Sequence, residues 1–189
     1  MIKNLKALKG FSFIELLMVV AIIGILSGAG AWIMAYTVKN SVFIPNQLNM
    51  DKLANDALGV MIEGDGQARG LRFARVITGI SASQVTFINQ DGLAIIYRWD
   101  TGTNKLYRKI GAAAEVIMPD YASGLSGVTI SGKSGTLFTY YDANEAITAT
   151  PADVRRVRMI LIAKSGTGLY NDWEGQSEQA CSVSIDRLQ

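Results

Sequence analysis

The sequence predicts an α+β protein in which one long N-terminal α-helix, transmembrane in its N-terminal half, packs on an antiparallel β-sheet. Two observations lead to this fold class. A long apolar segment near the start of the chain is followed by a second stretch with helical periodicity, and the remainder alternates between apolar and polar residues. The length of 189 residues favours one domain with an appendage over two full domains.

The first part of the predicted helix is long enough to cross a membrane. Between Glu15 and Lys39 lie 23 residues without a charged side chain. As a helix this segment measures about 35 Å, and a hydrocarbon core is roughly 30 Å thick. Lys3, Lys6 and Lys9 precede it, and such positive residues stay on the cytoplasmic side. We therefore predict one membrane span with a cytoplasmic N-terminus.

The second part of the helix has one apolar face. Pro45 is expected to interrupt or kink the helix before it. Beyond Pro45, the apolar side chains with helical spacing are Met50, Leu53, Ala54, Ala57 and Met61. Gly64 and Gly66 are expected to end the helix. The pattern predicts that this outer half lays its apolar face on a sheet.

The alternating part of the chain predicts strands. Val85 and Phe87 lead to an Asp91-Gly92 turn, after which Leu93, Ile95, Tyr97 and Trp99 share one face, as in a β-hairpin. Further strands are predicted at Lys105–Ile110, Gly127–Ser131, Thr136–Tyr141, Val154–Ala163 and Cys181–Arg187.

Composition excludes several kinds of enzyme. The chain has no histidine, which excludes Ser-His-Asp and Cys-His catalysis and histidine-ligated metals. Its single cysteine, Cys181, allows neither an intramolecular disulfide nor a multi-cysteine metal site. We expect Cys181 to be a small buried side chain, with a reactive or intermolecular thiol as the alternative. We predict a protein that is not an enzyme and has no cofactor and no metal.

Two polar clusters allow alternative interpretations. Asp142, Asn144 and Glu145 form either a simple polar turn, which we favour, or part of a calcium loop. Six arginines could bind nucleic-acid phosphates, but Arg156 and Arg158 point to the opposite face from Arg155, and the net charge outside the three N-terminal lysines is slightly negative. We therefore favour a solvated sheet face and do not expect nucleic acid as a partner. The six arginines are Arg69, Arg72, Arg75, Arg155, Arg156 and Arg158.

A carboxylate interrupts the apolar segment near its start. Burying the charge of Glu15 in a membrane costs a few kcal/mol, so this side chain either snorkels to the headgroups or meets a partner. A secretory signal is a rival interpretation of the whole segment, because Ala29-Gly30-Ala31 supplies a small-x-small cleavage site. Against it, apolar character continues through Trp32 to Tyr36.

The stretch Lys9-Gly10-Phe11-Ser12-Phe13-Ile14-Glu15-Leu16-Leu17 resembles the class III signal of type IV pilins and type II secretion pseudopilins. The resemblance implies cleavage by prepilin peptidase between Gly10 and Phe11, followed by N-methylation of Phe11. It also implies that Glu15 of one subunit meets the Phe11 ammonium of a neighbour in the filament. Opposite charges at low dielectric attract and fix axial register, while an unpaired charge is penalised.

Small residues recur at helical spacing in the same segment. They are predicted to share a face for close helix packing, and they are Ala21, Gly24, Gly28, Ala31 and Ala35. Ordinary membrane-helix composition is the alternative explanation. Filaments of the family often unwind near the position of Gly24, up to a proline, and this sequence has Trp32 where that proline would fall.

The later part of the chain is similar to W-type minor pilins and J-type minor pseudopilins. The similarity lies in the sequences at 85–87, 96–100, 104–108, 140–144 and 154–159. It implies a pilin-like fold and a low-abundance subunit that starts or caps a filament, with a minor pseudopilin or a tip subunit for adhesion or DNA uptake as alternatives. A secreted protein released after Ala31 is a further alternative.

The resemblance also implies the domain organisation and the partners. Residues 1–10 are the cleaved leader, 11–39 the transmembrane and filament-core helix, and 40–189 a periplasmic or extracellular globular domain. The expected partners are prepilin peptidase, other pilin or pseudopilin subunits, and the inner membrane before assembly. The mature protein is expected in a periplasmic or cell-surface filament.

Overall fold

The structure, a computed structural model, describes residues 12–119, 127–166 and 175–185. The chain forms two compact units that divide between Ser41 and Val42. One helix, α1 (Phe13–Glu63), begins in the first unit, and its residues from Val42 onward belong to the second unit. The second unit also contains two antiparallel sheets. The α+β class predicted from the sequence is confirmed.

Helix α1 continues through Pro45, so an interruption there is wrong, whereas the alternative expectation of a kink stays a prediction. A proline removes one backbone hydrogen bond from a helix, and burial of the residues beyond it compensates for that loss. The buried residues of α1 are the predicted apolar face and one neighbour: Met50, Leu53, Ala54, Ala57, Leu58 and Met61. Gly24 also lies within the helix, which is not unwound at that position.

A glycine ends helix α1, as predicted. Gly64 has a left-handed φ of +98°, and its N–H donates to the Val60 carbonyl at 3.0 Å. A side chain at Gly64 would collide with the Ala68 carbonyl oxygen. Only glycine therefore allows the chain to turn back here, where the Gly70 N–H donates to the Glu63 carbonyl.

The first sheet is a five-stranded antiparallel meander in the order β1-β2-β3-β4-β5. A short 3₁₀ turn, Leu71–Phe73, leads into it. The strands are β1 (Ala74–Ile80), β2 (Gln84–Asn89), β3 (Ala94–Asp100), β4 (Lys105–Ile110) and β5 (Val116–Met118). Sequence patterning predicts neither β1 nor β5, because register shifts interrupt the alternation of β1 and β5 has only three residues.

A second sheet is built around one long strand. Strand β9 pairs along the whole length of β8, and β6 and β7 each pair with part of β8. The strands are β6 (Thr129–Gly132), β7 (Phe138–Tyr141), β8 (Arg156–Lys164) and β9 (Gln176–Ser184). The prediction of one meandering sheet is therefore incomplete, because the strands divide between two sheets.

Several predicted strand boundaries are shifted by one or two residues, since the strands predicted to begin at Gly127, Thr136 and Val154 begin two residues later. Two further differences have a clear local cause. Leu93 precedes β3 and is 38% exposed, whereas Ile95, Tyr97 and Trp99 are buried as expected. The Leu93 N–H donates to the Asn89 side chain, which holds it in the turn. Strand β9 begins at Gln176 instead of Cys181, because polar residues fill its first half and give no apolar signal.

Side-chain hydrogen bonds tie the elements of the second unit together. The Tyr97 hydroxyl donates to the Val60 carbonyl of α1 at 3.2 Å, and the Tyr140 hydroxyl donates to the Gln84 carbonyl of β2 at 2.7 Å. Burial raises the pKa of both tyrosines, so both remain donors at ordinary pH. The Gln47 amide group both donates to and accepts from the backbone of Gln176, which fixes the start of β9 to α1.

Candidate functional site

The start of α1 is closed by a capping box formed by Ser12 and Glu15. The Ile14 N–H donates to the Ser12 hydroxyl at 3.3 Å, and the Ser12 N–H donates to Glu15 Oε2 at 2.8 Å. Two otherwise unsatisfied backbone donors are thereby paired, and a carboxylate lies at the positive end of the helix dipole. Glu15 therefore has a function within its own chain that the sequence interpretation missed.

The predicted processing site and its charge partner lie outside the described residues. Gly10 and Phe11 both precede residue 12, where the description begins. The cleavage between them and the pairing of Glu15 with a Phe11 ammonium consequently remain predictions. Glu15 itself is exposed at the start of the helix and can still be approached by a second chain.

Every described residue from 12 to 38 is exposed, although most of them are apolar. Leu16, Ile25 and Trp32, for example, are 56%, 72% and 70% exposed. Within the described part of the chain, one helix is long and apolar enough to cross a membrane. An apolar surface of this extent is stable only against lipid or against other apolar helices.

Two small residues of this helix, Gly24 and Gly28, have no packing partner among the described residues. A Cβ atom built on Gly24 or Gly28 meets no described atom within 4 Å. Glycine at these positions is therefore not required by packing inside the subunit. The helix-packing function of Ala21, Ala31 and Ala35 together with these glycines remains a prediction about contacts between chains.

The second unit contains an ion pair between one buried and one exposed residue, beside a cleft of about 540 Å³. Arg108 on β4, only 2% exposed, pairs with Asp65, which follows the end of α1. Burial alone would raise the pKa of Asp65, but the hydrogen bond from Arg108 and the N–H groups of Gln67 and Ala68 outweigh it and hold this pKa below 3.8. The pair therefore joins the helix end to the sheet through an ionised carboxylate.

Asp65→Asn is expected to lower the free energy of unfolding by about 1–3 kcal/mol at neutral pH, because it leaves the buried Arg108 guanidinium without its counter-ion, while water can reach the exposed Asp65 end of the pair. Since the pKa of Asp65 is lowered in the folded state, the stabilisation is present above 3.8 and is lost as the pH falls through the lowered value. Urea unfolding of the chain in detergent, at neutral and acidic pH, measures both effects.

The exposed pair of Arg69 and Asp91 provides the control for this prediction. Their side chains are 52% and 45% exposed, and Arg69 Nε lies 3.6 Å from Asp91 Oδ2. Asp91→Asn should change the free energy of unfolding by no more than about 1 kcal/mol. Equal losses in the two variants would contradict a special contribution of the pair that contains the buried Arg108.

Cys181 is less buried than the sequence predicts. It lies on β9, half-buried and packed against the core, because this strand is at the edge of its sheet. Its neighbour Val183 on the same face is buried. The expected buried side chain is thus only partly buried, although it does pack against the core.

Cys181→Ala should lower the free energy of unfolding by no more than about 1 kcal/mol and leave assembly intact, because it removes only one half-buried sulfur. Thermal unfolding and filament counts provide the measurements. A covalent dimer lost on reduction, or a variant that folds but does not assemble, would instead assign an intermolecular function to the thiol.

The cluster at Asp142 is a polar turn. The Asp142 carboxylate accepts the N–H groups of Asn144 and Ala146 at 2.8 and 2.9 Å. Glu145, which has a left-handed φ of 62°, pairs with Arg156 at 2.9 Å. These groups are therefore used within the protein, and residues 12–119, 127–166 and 175–185 contain no group of three or more potential Asp, Glu or Cys metal ligands.

Three of the six arginines considered for nucleic-acid binding are paired with acids. Arg69 pairs with Asp91 and Arg72 with Glu63, and Arg156 pairs with Glu145 while stacking on Tyr141. These local ion pairs reduce the positive potential available to phosphates. Arg75, Arg155 and Arg158 are exposed, as expected for a solvated face.

Comparison with known proteins identifies the start of the chain. Residues 5–31 match the family described as the prokaryotic N-terminal methylation motif. No curated protein and no solved structure matches the chain. The match supports a class III signal of the pilin and pseudopilin type, and the motif together with one N-terminal apolar helix indicates membrane anchoring.

Proposed function

We propose that this chain is a minor structural subunit of a type IV pilus-like filament, which helps to initiate or cap assembly. One observation carries the proposal: a helix that is exposed from residue 12 to residue 38 is apolar and begins within a methylation motif. Such a helix is stable in a bilayer before assembly and among other subunits afterwards. Its function is therefore to join chains, without catalysis.

Processing precedes assembly in this proposal. Prepilin peptidase cuts between Gly10 and Phe11, and methylation of the new N-terminus keeps its positive charge. The precursor spans the inner membrane with Lys3, Lys6 and Lys9 on the cytoplasmic side. The globular part then lies on the outer side of that membrane, where the filament grows.

Glu15 joins one subunit to the next in this proposal. Its Oε2 atom already accepts the Ser12 N–H, but a carboxylate can accept several hydrogen bonds. The remaining lone pairs are available to the Phe11 ammonium of a neighbour. The capping box holds the carboxylate at the helix end, which reduces the entropy lost when the intersubunit pair forms.

The segments similar to W-type minor pilins and J-type minor pseudopilins support a minor subunit. In the structure they lie mostly on β2, β3, β4, β7 and β8, and Phe87 packs on Tyr97 across two of these strands with ring centroids 5.7 Å apart. Because the same segments are similar to both types, a minor pseudopilin of a type II secretion system is the second candidate function.

Deletion of the gene, with complementation by the wild-type copy, tests the proposal. Loss of surface pili with normal secretion supports a pilus subunit, whereas retention of secreted enzymes in the periplasm with normal pili supports a pseudopilin. A deletion strain with normal pili and normal secretion would overturn both candidates. Salt-dependent retention on DNA separately tests a tip subunit that binds nucleic acid.

A further inference from the structure

Two aromatic side chains form a stacked pair on the exposed helix. The rings of Trp32 and Tyr36 lie 5.9 Å apart between centroids, at an interplanar angle of 15°. The residues are 70% and 57% exposed. Among the described residues, neither the indole N–H of Trp32 nor the hydroxyl of Tyr36 has a hydrogen-bond partner. Each ring therefore presents an apolar body and a free polar group to its surroundings.

The pair lies where the apolar segment ends. The hydroxyl of the next residue, Thr37, donates to the Ile33 carbonyl at 2.9 Å. The hydrogen-bonding capacity of this hydroxyl is therefore satisfied within the helix. Lys39 then carries the first charge after Glu15. The aromatic pair therefore lies within about two helical turns of the end of the uncharged segment.

The length of helix between Glu15 and the aromatic pair is close to the thickness of the hydrocarbon core of a membrane. The 17 and 21 residue steps from Glu15 to Trp32 and Tyr36 correspond to about 26 and 32 Å of helix, and the hydrocarbon core is about 30 Å thick. When the aromatic pair lies at one surface of the bilayer, Glu15 consequently lies at the other. Both polar ends can then reach water without unfolding the helix.

We propose that Trp32 and Tyr36 anchor the unassembled subunit at the outward-facing boundary between lipid headgroups and acyl chains. Tryptophan and tyrosine favour this boundary because the ring is apolar and its polar group can bond water or headgroups. The proposal rests on the membrane-inserted stage of the proposed function. The anchor would fix the depth of the helix in the bilayer. Glu15 of every unassembled subunit would then lie at the same depth on the cytoplasmic side.

Fluorescence quenching in vesicles tests the depth of Trp32. The full chain is reconstituted in phosphatidylcholine vesicles whose acyl chains carry bromine at defined depths, and the signal of Trp32→Phe is subtracted. We expect bromines nearest the headgroups to quench Trp32 most strongly. Strongest quenching by bromines at the bilayer centre would overturn the proposal, as would equal quenching at all depths.

An exchange variant provides the matched control. Leu26→Trp combined with Trp32→Leu keeps the composition and moves the indole six residues, or about 9 Å, along the helix. Because this indole would lie near the bilayer centre, quenching should shift to the deepest bromines. If the exchange leaves the quenching profile unchanged, the indole position does not follow the helix and the anchor is excluded.

Failure of the anchor and failure of the proposed function give different results. A chain that resists alkaline extraction from the vesicles but carries Trp32 at the bilayer centre contradicts the anchor alone. A chain released by alkali is not membrane-inserted, which contradicts both. In the first case the aromatic pair is available for contacts between helices in the filament.

Discussion

Gly10→Val is expected to leave the chain as its full-length precursor, while the wild-type chain matures to begin at N-methylated Phe11. Glycine has no Cβ atom, so the backbone at Gly10 can enter a narrow protease cleft. The branched side chain of valine is too bulky for such a cleft. Gly10 lies within the matched methylation motif. Intact-protein mass spectrometry of membrane fractions distinguishes the two forms by the mass of the leader and of one methyl group.

Gly10→Ala is the control for this prediction, because alanine adds only one methyl group and should be cut more readily than valine. The rival secretory signal makes a different prediction, namely a mature chain that begins at Trp32. A wild-type N-terminus at Trp32 would refute the processing proposal. It would also remove the aromatic anchor's helix, because residues 12–31 would be lost.

The sequence predicts best where burial on one face imposes a strict period. For the outer half of α1, the predicted buried face agrees with the structure almost residue for residue. The reason is that the apolar side chains from Met50 to Met61 must face the core on one side of the helix. The same holds for Ile95, Tyr97 and Trp99, which alternate with half-buried residues in β3. In both cases one face is fully buried and the opposite face is not, so the apolar residues must recur with a fixed period.

The errors occur where the local pattern is weak or is overridden. Strand β9 is predicted late because polar residues occupy its first half, and what holds that half is pairing with β8 and the side chain of Gln47. Pro45 is tolerated within the helix because packing of the following turns compensates for one missing hydrogen bond. Neither effect is visible in a window of neighbouring residues.

Among the interactions described for the candidate site, some could be predicted from the sequence and others could not. The capping box could have been recognised, because Ser followed three residues later by Glu at the start of an apolar helix is its sequence signature. The pair of Asp65 and Arg108 could not, because its members are far apart in sequence and meet only when the sheet folds against the end of α1. Local chemistry is readable from the sequence, whereas contacts between distant segments require the fold.

Glu15→Gln is expected to give a subunit that is made, inserted and processed but does not join filaments. Glutamine can still accept the Ser12 N–H, so the capping box and the start of α1 are preserved. Insertion should be at least as efficient, since a charge is removed from the apolar segment. The Phe11 ammonium of a neighbour, however, would lose its counter-ion in apolar surroundings, at a cost on the order of a few kcal/mol.

Two further variants separate charge from capping in this experiment. Ser12→Ala removes the hydroxyl cap but keeps the carboxylate, so it should weaken the helix start by about 1 kcal/mol and still assemble. Glu15→Ala removes both the carboxylate and its bond to Ser12, so it should fail as Glu15→Gln does. Co-purification with partner subunits and filament counts give the measurements. If Glu15→Gln assembles like the wild type while Glu15→Ala does not, then Glu15 acts only as a helix cap, and the charge pairing between subunits is wrong.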